Sequence, residues 1–330
     1  MRSTLIRSLV LMLLLTACGG GEDLDVAGTA TSVPATSEPA PATETTAPEA
    51  TAAAGTDAEP TDAEPTDAEP TDAEVPTEPI EPADDRGATL VLDGDGLPAG
   101  DYTVVVEAAG QPVASTVRFD GGQVTVTLDA TTPEDVSRVD VHAGPSADGP
   151  ALLSGTVADG TGTIEPAVPV DLSGASGQYI LATPTNGSDS DERSGIWYVL
   201  IPRAPGLVLP ALPAEWVYEG WVTIDGVDVT TGRFGDPATP DDFDGFSGDQ
   251  GGPPLPGEDF LLSPPEGLSF PVDLAGMTTF VTLEPAVDPD PAPSGLTVLS
   301  GQIPADAIDH TVYDMASTVD ALPSYTAQVS

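Results

Sequence analysis

Four aspartates place oxygen ligands within one turn-rich loop: Asp241, Asp242, Asp244 and, after Gly245 and Gly248, Asp249. Their like charges repel unless they are spread apart or bridged, and the glycines let the chain turn to converge them, which is a chemistry suited to calcium. The spacing is not that of a helix-loop-helix calcium site, and a solvated acidic loop is the competing reading. Nucleophilic catalysis needs a base beside the nucleophile. The sequence has only His142 and His310, and it has no lysine. His142 precedes the turn Gly144-Pro145, and His310 follows the last strand-like segment, so each is expected at the surface or in packing. Paired carboxylates can hydrolyse glycosides, but among 54 acidic residues a pair carries no signal. No phosphate-cradling glycine loop precedes a helix. The expectation is a protein that is not an enzyme. The aromatics Trp197, Tyr198, Trp216, Tyr218 and Trp221 could stack on a sugar, though such rings more often fill a core. Tyr218 and Trp221 are an odd number of residues apart, so on a regular strand one should face inward and the other out.

Cys18 is the only cysteine, which excludes a disulfide framework within one chain and leaves stability to packed cores. It follows Arg2 and Arg7 and the apolar run Leu9 to Leu15, the charged and hydrophobic pattern of an export signal. That run is too short to span a bilayer comfortably as a permanent helix. Its end, Leu15-Thr16-Ala17-Cys18-Gly19, resembles the lipobox of bacterial lipoproteins, in which small residues admit the signal peptidase and the thiol is acylated. Residues 1–18 are thus read as a lipoprotein signal peptide, Cys18 as the lipidation site and the membrane as a partner through the N-terminal lipid. The location this implies is the bacterial cell envelope, on its extracytoplasmic side.

Residues 19–86 consist almost entirely of Thr, Ala, Pro, Glu and Asp and include tandem pentapeptides from Thr56 to Pro70, with a fourth copy broken at Val75. Such a segment cannot bury enough apolar surface to offset its ordering entropy, so a disordered, extended acidic linker is expected. At about 3 Å per residue it would hold the domains beyond residue 86 on the order of 100 to 200 Å from the lipid. Of the 54 acids, 18 lie in this linker, leaving 36 elsewhere against five arginines, Arg118, Arg138, Arg193, Arg203 and Arg233. A surface of that sign repels phosphate backbones and excludes nucleic acid as a partner. It favours divalent cations or a basic partner, and it also serves simply to keep a protein soluble.

From residue 88 to 304 short strand-like runs alternate with Gly, Pro and Asp turns, the pattern of an all-β sandwich or barrel. Val124 to Leu128 alternates strictly, and so do Met277, Thr279, Val281 and Leu283 against their neighbours. The stretch from Asp306 to Leu322 reads equally as helix or loop. Leu97-Pro98-Ala99, Tyr102, Ala109-Gly110 and Arg118-Phe119 line up in order with Leu212-Pro213-Ala214, Tyr218, Asp225-Gly226 and Arg233-Phe234. Farther on, Val126 to Asp129 lines up with Val281 to Glu284, and Leu152 to Gly155 with Val298 to Gly301. The central glycines fit tight hairpin turns. Two tandem related β-sandwich domains are expected, at 87–172 and 176–304, followed by a C-terminal tail at 305–330.

In the second copy, Leu209 to Ala214, Tyr218-Glu219-Gly220-Trp221, Gly226, Thr231-Gly232-Arg233-Phe234, Val281-Thr282-Leu283-Glu284-Pro285 and Pro291 to Gly295 resemble the extracytoplasmic C-terminal domain of the anti-sigma-K factor family. The resemblance covers about residues 196–304. Family members join this domain through a membrane helix to a cytoplasmic zinc-binding segment that holds a sigma factor. This chain has no spanning helix after the signal, no second cysteine and no histidine before His142, so that zinc site and sigma-binding arm are absent. The resemblance implies a β fold and an extracytoplasmic binding or sensing module, with an envelope protein as the partner. The alternative is a structural or adhesive cell-surface protein.

The anchoring expectation gives a direct test. Cys18→Ala should abolish labelling by a fatty-acid analogue and release the protein from membranes. A variant that stays labelled and membrane-bound would rule out lipidation at Cys18.

Overall fold

The computed structural model describes residues 87–287 and 291–330; the signal run, Cys18 and the 19–86 linker lie outside them. The described chain is all-β, broken only by single 3-10 turns at Pro133–Asp135, Pro184–Asn186 and Val319–Ala321. None of its helices is long and apolar enough to cross a membrane. The strands are β1 (Ala88–Asp95), β2 (Gly100–Ala108), β3 (Gln111–Phe119), β4 (Val124–Leu128), β5 (Val136–Ala143), β6 (Leu153–Ala158), β7 (Thr161–Pro166), β8 (Ser176–Leu181), β9 (Gly195–Trp197) and β10 (Val199–Leu200). They continue with β11 (Ala204–Pro205), β12 (Leu207–Val208), β13 (Trp216–Ile224), β14 (Val227–Phe234), β15 (Gly257–Asp259), β16 (Thr278–Pro285), β17 (Thr297–Gln302), β18 (Tyr313–Ser317) and β19 (Ser324–Val329).

Two large antiparallel sheets lie in tandem. The first runs β3-β2-β5-β6-β7-β19-β1-β4, and the second β14-β13-β16-β17-β18-β8-β9-β15, with β12 also on β8. Alternation of apolar and polar residues drives both. In β4, Val124, Val126 and Leu128 face inward while Thr125 and Thr127 face solvent. In β19, Tyr325, Ala327 and Val329 face inward. The inward rows pack into a core that is continuous through both sheets.

The duplication is visible in the topology, since β3-β2-β5-β6-β7 and β14-β13-β16-β17-β18 follow the same order. The hairpins around Gly110 and Gly226 occupy matching positions at the sheet edges. Both central residues of each turn are left-handed, with φ of 49° and 75° at Ala109 and Gly110 and 49° and 84° at Asp225 and Gly226. That geometry matches the twist of a two-residue hairpin and is the reason glycine stands second. Tyr102 meets Phe119 at 4.9 Å between ring centroids, and Tyr218 meets Phe234 at 5.8 Å, the same pair in both copies. Leu152-Leu153 and Val298-Leu299 are likewise buried at equivalent places, β6 and β17.

One part of the alignment does not hold. Val126 to Asp129 belongs to β4, at the end of the first sheet, whereas Val281 to Glu284 belongs to β16, whose counterpart by position is β5. A Val-Thr-Leu alternation fits any half-buried strand and carries no information on pairing. Tyr218 and Trp221 take opposite faces of β13, but neither points to solvent: Trp216, Tyr218, Val222 and Ile224 are buried in the core on one face, and Trp221 is buried on the other, stacked on its direct partner Phe280. The register between β13 and β14 shifts at Gly220/Trp221, where β14 carries the extra residue, Thr231, while β13 stays in unbroken register with β16. All five clustered aromatics lie inside, with Trp221 Nε1 donating to Thr282 Oγ1 at 2.8 Å.

Residues 305–330, read from the sequence as a tail, contain β18 and β19. β18 closes the second sheet against β8, and β19 returns to the first, between β1 and β7. The stretch from Asp306 to Leu322 forms no α-helix. Periodicity could not reveal this, because β19 is placed by pairing with strands far away in sequence.

Phe119 is fully buried and its ring packs edge-on against Tyr325 of β19 at 5.5 Å as well as against Tyr102. Phe119→Ala should therefore lower unfolding free energy by about 3–5 kcal/mol, read from chemical denaturation of the purified protein.

Candidate functional site

The acidic loop and the connection between β8 and β9 meet at one end of the second sheet, where β15 pairs with β9. Three carboxylates hold this end together. Asp259 is fully buried; one of its oxygens accepts from Trp197 Nε1 at 2.8 Å, and the other from the backbone N–H of Thr185 at 2.8 Å and from the Thr185 hydroxyl. The Thr185 hydroxyl oxygen in turn accepts from the N–H of Gly248 at 2.8 Å, and the Thr185 carbonyl accepts from Gln250 N–H. Glu258, also fully buried, accepts from the Ser247 hydroxyl and from the N–H of Asp259, while its other oxygen, Oε2, has no hydrogen-bond partner. Asp241 accepts from Gly257 N–H at 2.8 Å and Phe243 N–H at 2.9 Å. Bonds to backbone N–H groups fix the loop more firmly than contacts between side chains would, because they tie one main chain to another.

Glycine is required where the loop touches the sheet. Gly232 has φ of 107°, and a Cβ there would lie 2.3 Å from Asp241 Oδ1. The loop is also stitched to β14, since Arg233 N–H donates to Asp242 Oδ1 at 2.9 Å and Asp242 N–H donates to the Arg233 carbonyl at 3.0 Å. Arg233 itself faces Glu219 at 3.4 Å and donates to the Pro285 carbonyl. Beneath the loop, Phe246 joins Phe243, Phe260 and Phe270 in a cluster of ring contacts.

Above this frame lies an open concavity of about 560 Å³, lined by Trp197, Asp241, Asp242, Phe243, Asp244 and Gln250 among others. A second, of about 580 Å³, opens by the 183–192 segment beside Glu192, Asp309 and His310. The first combines the aromatic rings of Trp197 and Phe243 with carboxylates, a surface suited to cationic groups.

The four aspartates singled out in the sequence have separate duties. Asp241, half-buried, and Asp242, exposed, turn back onto backbone donors, and Asp244 and Asp249 are exposed. Among the described residues no three His, Cys, Asp or Glu side chains are grouped to hold a metal. His142 is half-buried at the end of β5, with Nδ1 3.1 Å from the Gly149 carbonyl. His310 is largely exposed, with Nδ1 3.1 Å from Asp309. Sequence reasoning missed Thr185, Glu258 and Asp259. The two acids stand as a pair inside the largely apolar run from Leu255 to Leu262, and Thr185 has no such mark. No family model, curated protein or solved structure matches this chain.

Burial raises all three carboxyls. Glu258 is pushed up from an ordinary value of 4.5 to about 7 by desolvation, its hydrogen bonds to Ser247 and Asp259 offsetting only part of this. Asp241 rises from 3.8 to about 6 for the same reason, and Asp259 is also raised. A folded-state pKa above the unfolded one means that the folded state takes up protons first as pH falls. Stability should therefore increase as pH is lowered from about 7 towards 4.5, which melting curves between pH 8 and 5 would register as a rising midpoint. Glu258→Gln should raise the midpoint at pH 8 and flatten the profile. A midpoint that instead falls steadily over that interval would contradict the burial of these groups.

Proposed function

We propose that the chain is a bacterial cell-envelope lipoprotein, acylated at Cys18, whose tandem β units form a non-catalytic extracytoplasmic binding or sensing module. The acidic 19–86 segment acts as a spacer from the membrane. The observation that carries the binding reading is the pinned loop. Asp241, Glu258 and Asp259 bond to backbone and side-chain donors, so Phe243 and Asp244 are presented at the rim of the concavity in fixed positions. Pre-organisation of this kind reduces the entropy lost when a partner binds. The partner class is an envelope protein with a basic face, which meets the chain's formal charge of −46 and the exposed carboxylates of the loop.

The resemblance to the extracytoplasmic domain of anti-sigma-K factors favours sensing over a purely structural role. Its two most specific segments are neighbours in the fold, Gly220-Trp221 on β13 facing Val281 and Phe280 of β16, with Trp221 bonded to Thr282. In this reading the chain senses or binds outside the cytoplasm and leaves sigma-factor capture to another protein.

Photo-cross-linking in intact cells tests the proposal. A photoreactive residue at Phe243 should yield one discrete adduct with an envelope protein, lost when Asp242 and Asp244 are changed to Asn. The same residue placed at the exposed Gln111 should yield none. Equal adducts from both positions, or turnover of glycan, peptide or ester substrates by the purified protein, would overturn it.

A further inference from the structure

The two sheets share a strand order but fill one position differently. In the second sheet the strand between β18 and β9 is β8, which leads into β9 within the same repeat. In the first, the matching position between β7 and β1 is taken by β19, which comes after the entire second repeat. The sequence before β1 is a poor candidate for that place, because Pro76, Pro79 and Pro82 interrupt it every third residue. Proline has no N–H to give a ladder and is excluded from central strands.

The vacant slot would expose two strand edges at once. β1 pairs with β19 from Leu90↔Val329 to Asp95↔Ser324, and β7 pairs with it from Ile164↔Tyr325 to Thr161↔Gln328. The slot is shaped for this occupant. A Cβ on Gly94 would lie 2.2 Å from the Ser324 carbonyl oxygen, and Tyr325 inserts its ring against Phe119. Meanwhile β19 hangs on a short connection, residues 318–323, with one 3-10 turn and Pro323 at its end. From Ala321 to Ser330 there is no Asp, Glu, Lys, Arg or His, in a chain otherwise dense in acids. Two copies that repel elsewhere can bring this segment together without opposing charge.

We propose that β19 is an exchangeable donor strand, and that the slot between β1 and β7 accepts residues 324–329 of a second copy of this chain. The ligand is thus an extended, uncharged segment with apolar residues at alternate positions, held by main-chain bonds on both sides. Exchange of an identical element conserves every contact of the closed chain except those of the connection, which is why it is a low-cost route to dimers. The inference stands independently of the role assigned to the acidic loop.

Engineered cysteines in the full chain carrying Cys18→Ser provide the test. Asp93 and Thr326 are exposed partners across β1 and β19, so Asp93→Cys with Thr326→Cys in one chain should close an internal disulfide. The two single variants are then mixed at high protein concentration, carried to the denaturation midpoint, refolded and oxidised. A disulfide-linked heterodimer is expected from Asp93→Cys with Thr326→Cys, and none from Asp189→Cys with Thr326→Cys, Asp189 being exposed in the second unit. Three results would each overturn the proposal: failure of the internal disulfide to form, absence of the heterodimer, and equal heterodimer from the control pair.

Discussion

The backbone pairing of residues 324–329 between β1 and β7 is the constraint on which the first sheet depends. A central position in an antiparallel sheet cannot stay empty, because the N–H and C=O groups on both of its flanks would lose their partners. The chain meets this demand with a segment that comes after the second repeat, and so couples the two units by more than contact between their surfaces. Tyr325 carries the coupling into the core through Phe119, which also holds Tyr102 on the neighbouring strand. With a single cysteine, placed ahead of the folded part, no disulfide is available to do the same work.

A second principle governs the acidic loop. Carboxylates are costly to bury unless hydrogen-bonded; here Asp241 and Asp259 accept from backbone and side-chain donors, whereas Glu258 keeps one oxygen, Oε2, without a partner. Asp259 joins β15 to Thr185 and Trp197, Asp241 joins the loop to Gly257, and Asp242 joins it to Arg233. The loop is therefore stiff where its composition suggested a solvated surface. Its residual acidity points outward from Asp244 and Asp249, and the buried acids couple its order to protonation because burial favours their neutral forms.

Four of the five arginines beyond residue 86 obey the same logic of local charge satisfaction. Arg118 pairs with Asp101 and Asp120, Arg138 with Asp140, Arg193 with Asp273 and Arg233 with Glu219. These cations are engaged in local contacts, so the outward field is set by the carboxylates. Pairs as exposed as Arg118 and Asp101 contribute little to stability. What they do is hold the few positive charges close to acids of their own repeat.

The sequence alone determined the all-β class, the two glycine hairpins, the repeated order of segments and the acidic surface, because each arises from local periodicity, turn chemistry or composition. The alternation of Val124 to Leu128 and the left-handed demand at Gly110 and Gly226 need no distant partner to be read. Only the tertiary structure decided that β19 belongs to the first sheet, that Trp221 is buried on the face of β13 opposite Tyr218, and that Asp241 and Asp242 accept from backbone N–H groups. Each of these depends on groups far apart in the chain, as with Asp259 and Thr185, which are 74 residues apart. A strand's pattern states which face is apolar, but its partner lies in distant segments that the pattern does not name.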